Sequence, residues 1–481
     1  MPDSGPRRLP GNRVVRRRLN PTQIIDIPIS RIAGDVPNVR SSAKRFVLAF
    51  TLLVMFGAVG LALPWTTESG TRTPVIDAFF TAVSASSVTG LVVVDTQNHW
   101  NFFGELILLI LIQVGGLGFM VGASLVLASM GRTLTLRDSL LLQDGAPTLS
   151  LAEATSLSKR ILKFIFWFEL CGAIILTGVL LNEGRSFGVA LWHGIFTSIS
   201  SFCNAGFDLE GDFSSIIGFS DSLIFTSTSL VLIQAGALSY ITLSDAWGKK
   251  VWRRFALDTK LVLLTNAILL LGGTVVFMAL EWNNAMAGYD DWLKPLTALY
   301  QSASVRTAGF SAMPFNDVHP ATIFFSMGEM LVGGAAGSTT GGVKLATIAI
   351  VVIAVISTVR GQADAQAFGR RISTRIVFRA MAVITLFLFA HFLLTLALAV
   401  TEDVVAGKEF GFLAIMLEAM SAVATAGLSI GITPDLSASG KLLLCIGMYV
   451  GRLGPLTAVY ALQRRQKQAL YRFPESPIRI G

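Results

Sequence analysis

A chain of 481 residues that is 53% hydrophobic and only 14% charged, with a mean hydropathy of +0.65, departs far from water-soluble composition and reads as a polytopic membrane protein. An apolar helix of about 20 residues crosses a hydrocarbon core of roughly 30 Å, so about 160 residues supply eight spans and leave chain for re-entrant segments. The three cysteines and four histidines are scattered, there is no nucleotide fingerprint, and no soluble stretch is long enough for a catalytic domain, so neither a disulfide framework, a transition-metal cluster nor an enzyme is expected.

In chain order, residues 1–44 are rich in Arg, Pro and Gly and hold no apolar run, which predicts a flexible basic cytosolic tail. It either docks to a partner or anionic membrane lipid or serves only as a topological anchor. Candidate spans follow near 45–64, 102–130, 160–182, 219–246, 258–280, 321–358, 377–400 and 440–462. Of 38 Lys and Arg, 30 fall on one side of these spans; the other side holds only Arg72, Arg185, Lys294, Lys408 and Lys441, while Arg306, Lys344 and Arg452 lie at membrane depth. The positive-inside rule makes the first side cytoplasmic, with both termini there and the protein in the cell membrane. The net charge of +8 thus follows from topology, and no nucleic-acid partner is expected.

Four segments superimpose on one glycine: Val88-Thr89-Gly90, Asn204-Ala205-Gly206, Thr307-Ala308-Gly309 and Thr425-Ala426-Gly427, with the glycines 116, 103 and 118 residues apart. Each follows a run too short to span and sits between two long apolar stretches. The fold class is therefore all-α, with four span–pore-helix–loop–span repeats in pseudo-fourfold arrangement around a central cation pore. Repeat 1 covers 45–130, repeat 2 covers 131–246, repeat 3 covers 247–358 and repeat 4 covers 359–462, with a cytosolic tail at 463–481. Non-helical backbone at membrane depth is tolerated where protein buries it or where it lines a water-filled cavity. The twelve residues named would then offer carbonyl oxygens in place of a cation's water shell, and four short helices would aim their negative ends at it.

A second register of small residues lies 25 to 30 residues further on and aligns Gly116, Gly236, Gly334 and Arg452. Two readings of Arg452 stand: a barrier or gate charge in the pore, or an interhelical tie to backbone carbonyls. In the third repeat the last span is split by 333–342, where Gly333, Gly334, Gly337, Ser338, Thr339, Thr340, Gly341 and Gly342 cannot sustain a helix. This predicts either a mobile gating loop below the glycines, with Lys344 at its far end, or a packing seam. Arg306 is expected behind its loop, bonded to loop carbonyls, with Glu418 as one possible partner.

The four degenerate glycine loops, the split third-repeat span and the lone Arg452 resemble the Trk/Ktr/HKT superfamily of potassium transporters over about residues 45–462, and most resemble the KtrB type of membrane subunit. The resemblance implies potassium as the permeating ion at a selectivity filter, because all four glycines are present. It further implies a homodimer with one pore per protomer, a separate cytosolic KtrA-like nucleotide-binding ring, sodium as a coupling or activating ion in some members, and gate roles for 333–342 and Arg452. A sodium-selective or sodium-coupled pore of the same architecture, an alternating-access carrier and a non-transporting scaffold are the rival functions.

Overall fold

The computed structural model describes residues 39–129, 151–362 and 364–454. Most of the expected N-tail, the segment 130–150 and the C-tail lie outside the described residues. Four times the chain runs helix, short helix, glycine loop, helix. The first run is α1 (Val39–Leu61), α2 (Val75–Ser87) and α3 (Phe102–Ser129); the second is α4 (Leu151–Asn182), α5 (Phe187–Cys203), α6 (Leu223–Leu238) and α7 (Tyr240–Lys249). The third is α8 (Leu257–Glu281), α9 (Lys294–Val305), α10 (Pro320–Leu331) and α11 (Leu345–Val359). A small hairpin, β1 (Gln366–Ala367) and β2 (Arg370–Arg371), leads to α12 (Thr374–Ala399), α13 (Phe412–Ala424) and α14 (Ala438–Leu453).

This is a mostly helical, polytopic fold. Three helices among the described residues are long and apolar enough to cross a bilayer: Ser158–Asn182, Leu257–Glu281 and Thr374–Val405. On α8 the apolar Ile268, Leu271 and Val275 are exposed on one side, as a lipid-facing stripe must be, while Leu261, Val262 and Phe277 are buried on the other. The short helices are built differently. α2 and α13 are buried on nearly every side after their first turn, and runs such as Ser84-Ala85-Ser86-Ser87 let surrounding helices approach closely.

The runs close into a ring. The short helix α5 packs against α3 of the preceding run, α9 against α6, α13 against α10, and α2 against α14. Each short helix is therefore held partly by its own run and partly by its neighbour, which carries all four loops to one centre.

The span expected over 219–246 is not continuous. It breaks at Ser239 (φ 64°), and α7 turns away from α6 by 96°. The cause lies in the backbone acceptors: the Gly236 and Ala237 carbonyls, which an unbroken helix would offer to its next turn, accept from the Thr339 and Ala335 amides instead.

Candidate ion pathway

Three short helices end alike. In α2 the amides of Val88 and Thr89 bond the carbonyls of Ala85 and Ser84; in α5 those of Asn204 and Ala205 bond Ser201 and Ser200; in α13 those of Thr425 and Ala426 bond Ala422 and Ser421. This paired closure requires a left-handed residue, normally glycine. Here the position is held by Val88 (φ 56°), Asn204 (59°) and Thr425 (51°). α9 closes differently, with the Ala308 and Gly309 amides both on Ser304, yet Thr307 in the same position again has positive φ, at 80°.

These amides fix the direction of the carbonyls. A trans peptide holds its C=O antiparallel to its N–H. An amide bonded back to its own short helix therefore sends the preceding carbonyl away from that helix. The Thr89, Ala205, Ala308 and Ala426 amides do this for the carbonyls of Val88, Asn204, Thr307 and Thr425, and the Gly90 amide, held by Ser84 Oγ at 3.1 Å, does it for Thr89.

The glycines lie where the loops meet. A Cβ on Gly90 would stand 2.5 Å from the Ala205 oxygen, one on Gly206 2.9 Å from that of Ala308, and one on Gly309 2.9 Å from that of Ala426; on Gly427 it would strike the Thr89 oxygen. The loops thus abut in chain order and the fourth returns to the first. All four glycines have positive φ, from 70° to 94°. Among the described residues, the buried oxygens Asn204 Oδ1, Thr307 Oγ1 and Thr425 Oγ1 have no hydrogen-bond partner.

The segment that splits the third run lies against this ring. Its ends are cinched by a parallel bridge between Val332 and Val343, with the Gly333 amide on the Val343 carbonyl and the Leu345 amide on that of Gly334. Gly337 (φ 74°) turns the tip, the Gly334 amide bonds Thr340 Oγ1 at 2.8 Å, and Ser338 Oγ meets the same hydroxyl at 2.7 Å. Thr339 is the main anchor. Its hydroxyl accepts from Asn204 Nδ2 at 3.0 Å and donates to the Phe202 carbonyl at 3.3 Å, while its carbonyl accepts from Arg452 Nη1 at 2.6 Å. Gly341 abuts the Thr425 hydroxyl, with no room for a Cβ between them. In this conformation the segment is fastened by these bonds, because its glycines let neighbouring backbones reach its polar groups. Lys344 Nζ bonds the Thr340 and Gly341 carbonyls, which puts its charge on the segment itself.

Arg452 also donates to the Gly115 carbonyl, so its guanidinium bridges α14, α3 and the segment. The register that aligns it with Gly116, Gly236 and Gly334 needs correction. A Cβ on Gly115, Gly236 or Gly451 would strike the carbonyl of Ser86, Phe202 or Val423, each four residues before a loop glycine. Close helix approach therefore equates those three glycines, and Arg452 corresponds to Gly116 and Ala237.

Arg306 points away from the ring, bonding Asn266 Oδ1 at 2.9 Å and the Ser302 carbonyl at 3.4 Å, with Glu329 at 3.7 Å. Its acidic neighbour is Glu329. Glu418 is occupied by the Ser429 and Thr433 hydroxyls, which brace the chain just beyond the fourth loop. Sequence reading passed over Glu329, Asn266 and the pair Gln113–Glu169, whose Nε2 to Oε2 distance is 2.9 Å. A carboxylate or amide inside an apolar helix was the signal available.

A family model described as TrkH, cation transport protein, matches residues 40–469. The potassium/sodium uptake protein NtpJ of Enterococcus hirae is 34% identical over 97% of this chain and 98% of its own. The Ktr system potassium uptake protein B of Bacillus subtilis is 34% identical over 90% of this chain and 95% of its own. The crystal structure of the potassium transporter TrkH from Vibrio parahaemolyticus aligns with a TM-score of 0.67 at 20% identity, covering 88% of this chain and 85% of that one, a likeness of fold.

Proposed function

The chain belongs to the TrkH cation transport family, and from that premise we propose that it takes up potassium across the cell membrane, both termini cytosolic, through a channel-like pore whose selectivity filter is the ring of four glycine loops. The observation that carries this reading is the direction of the loop backbone: the amides are tied back to the short helices, which turns the preceding carbonyls away from them, in loops whose glycines abut one another in a closed sequence. A dehydrated monovalent cation takes such oxygens in place of water. The partnerless oxygens of Asn204, Thr307 and Thr425 add ligands, and the short helices end at these loops with their partial negative charge.

The segment 333–342 serves as the gate and Arg452 as its bolt. Moving the segment must break the bonds of Thr339 to Asn204, Phe202 and Arg452, and would leave the guanidinium to find other partners at membrane depth. The relatives named as parts of Ktr systems support a membrane subunit that works with a separate regulatory subunit. That this chain forms a homodimer and that the regulator is a cytosolic KtrA-like nucleotide-binding ring are part of the same proposal, implied by the resemblance alone. The name of the E. hirae relative keeps a sodium-carrying or sodium-coupled version as the second reading.

The test is rubidium and sodium flux into proteoliposomes. The unmodified chain is expected to carry rubidium in preference to sodium. Gly206→Ser and Gly309→Ser, each placing a side chain against a facing carbonyl at positive φ, are expected to cut rubidium flux at least tenfold at equal protein incorporation. Undiminished rubidium flux in both variants would remove the filter from these loops.

A further inference from the structure

Away from the ring, the far end of α11 meets the β1–β2 hairpin over a cavity of about 400 Å³. Ile353, Ile356 and Phe368 supply apolar walls, and Arg360, Gln362 and Gln366 a polar rim. Two further features converge there. Val352, Val355, Ile356 and Val359 are exposed at helical spacing along α11, an apolar stripe that ends at Arg360. The surroundings are also cationic: among the described residues neither Arg360 on the rim nor Arg370, which follows the lining residue Gly369, has an ion-pair partner, and the acid beside them, Asp364, is taken by Arg371 at 2.9 Å. Lys260 sits over the Phe368 ring at 5.5 Å, and Trp252, next to Arg253 and Arg254, meets that ring edge-on. The last carbonyls of α11 are covered by the amides of Arg360, Gly361 and Gln362, so they do not repel an anion.

We propose that this cavity binds the head group of an anionic phospholipid, with an acyl chain along the Val352–Val359 stripe and the phosphate held by Arg360 and Arg370 with the Gln362 and Gln366 amides. An amphiphile is the occupant because one continuous site offers a lipid-facing apolar track and, at its end, unpaired guanidinium groups beside aromatic rings at interfacial depth. The site also bears on transport. α11 follows directly on Lys344, whose ammonium holds the Thr340 and Gly341 carbonyls, and its 15 residues span about 22 Å. A lipid clamped at one end of this helix biases the position of the segment at the other. That regulatory half rests on the gate reading given above; the binding half does not.

The full chain, stripped of lipid in detergent, is offered phosphatidylglycerol or phosphatidylcholine, and bound lipid is counted by native mass spectrometry. Phosphatidylglycerol is expected to be retained about fivefold better for each basic residue engaged, corresponding to about 1 kcal/mol apiece. Arg360→Gln should lose about fivefold and Arg360→Gln with Arg370→Gln more; both side chains are exposed, so folding is not at stake. Equal retention of the two lipids, or retention unchanged in the double variant, overturns the site, as does a double variant that loses only a cytosolic protein partner. Rubidium flux in vesicles with and without phosphatidylglycerol reads the second half: flux that follows the lipid in the unmodified chain but not in the double variant supports it, and flux indifferent to the lipid overturns it without touching the filter.

Discussion

Val88, Thr307 and Thr425 are β-branched residues with positive φ, and Asn204 is the fourth at that position. For a β-branched side chain this is a rare conformation that costs on the order of 1 to 3 kcal/mol and persists only where surroundings enforce it. Here amides bonded back to the short helix enforce it, as a pair at three ends and both on the Ser304 carbonyl at the fourth, and the return is a carbonyl turned away from that helix at every loop. Thr339 is the residue through which the ring and the segment beneath it are joined. Thr339→Val keeps the shape but removes the hydroxyl that receives Asn204 and donates to Phe202. At about 1 kcal/mol net for each of the two bonds, the fastened state should weaken enough to raise rubidium flux by up to about thirtyfold. Proteoliposome flux checks it, and an unaltered rate in a well-folded variant would mean that the segment does not gate.

At the scale of elements, acidic side chains set helix ends. Glu281, closing α8, accepts from the His319 amide and the Thr322 hydroxyl at the start of α10; Glu402, beyond α12, accepts from the Ser437 amide and hydroxyl at the start of α14. A carboxylate at a helix N-terminus satisfies free amides and faces the positive end of the dipole. Asp245 does comparable work outside the spans, holding α7 by Lys249 at 2.5 Å and the Ala256 amide at 2.9 Å. Burial alone would raise its pKa, but the bonds from Lys249, Ala256 and Thr259 outweigh burial and hold it below the ordinary carboxylate value. A folded-state value lower than the unfolded one gives stability that is present above the unfolded pKa, near 4, and lost as pH falls through the folded value. Asp245→Asn should therefore lower Tm by about 2 °C at pH 7, with the gap to the unmodified chain closing below about pH 4 in thermal unfolding of the detergent-solubilised protein. A gap that persisted there would show that charge is not what holds α7.

For the whole molecule, a pore needs only the membrane potential. About 100 mV contributes roughly 2.3 kcal/mol per charge, which at about 1.4 kcal/mol per decade supports inward accumulation of some 40-fold. Rubidium accumulation in vesicles should track an imposed potential up to that ratio and collapse with it, without ATP. Accumulation well beyond it, or persistence under a sodium gradient after the potential is dissipated, would replace the passive pore with the sodium-coupled version.

By itself the sequence determined the membrane class, the helical character and the positions of four equivalent glycine loops. Hydropathy and repetition are local properties, written into each stretch whatever it touches. Tertiary structure decided what depends on a distant partner. The bend at Ser239 follows from carbonyls diverted to residues about a hundred positions later. Arg306 pairs with Glu329 because α9, α8 and α10 pack together, which placed Glu418 out of consideration. The one-residue offset of Arg452 against Gly236 became visible only as backbone approach, since glycines on either side of the contact look alike in a string. Polar groups at membrane depth take whichever partner the packing brings within about 3 Å, and a one-dimensional reading contains the groups but not that choice.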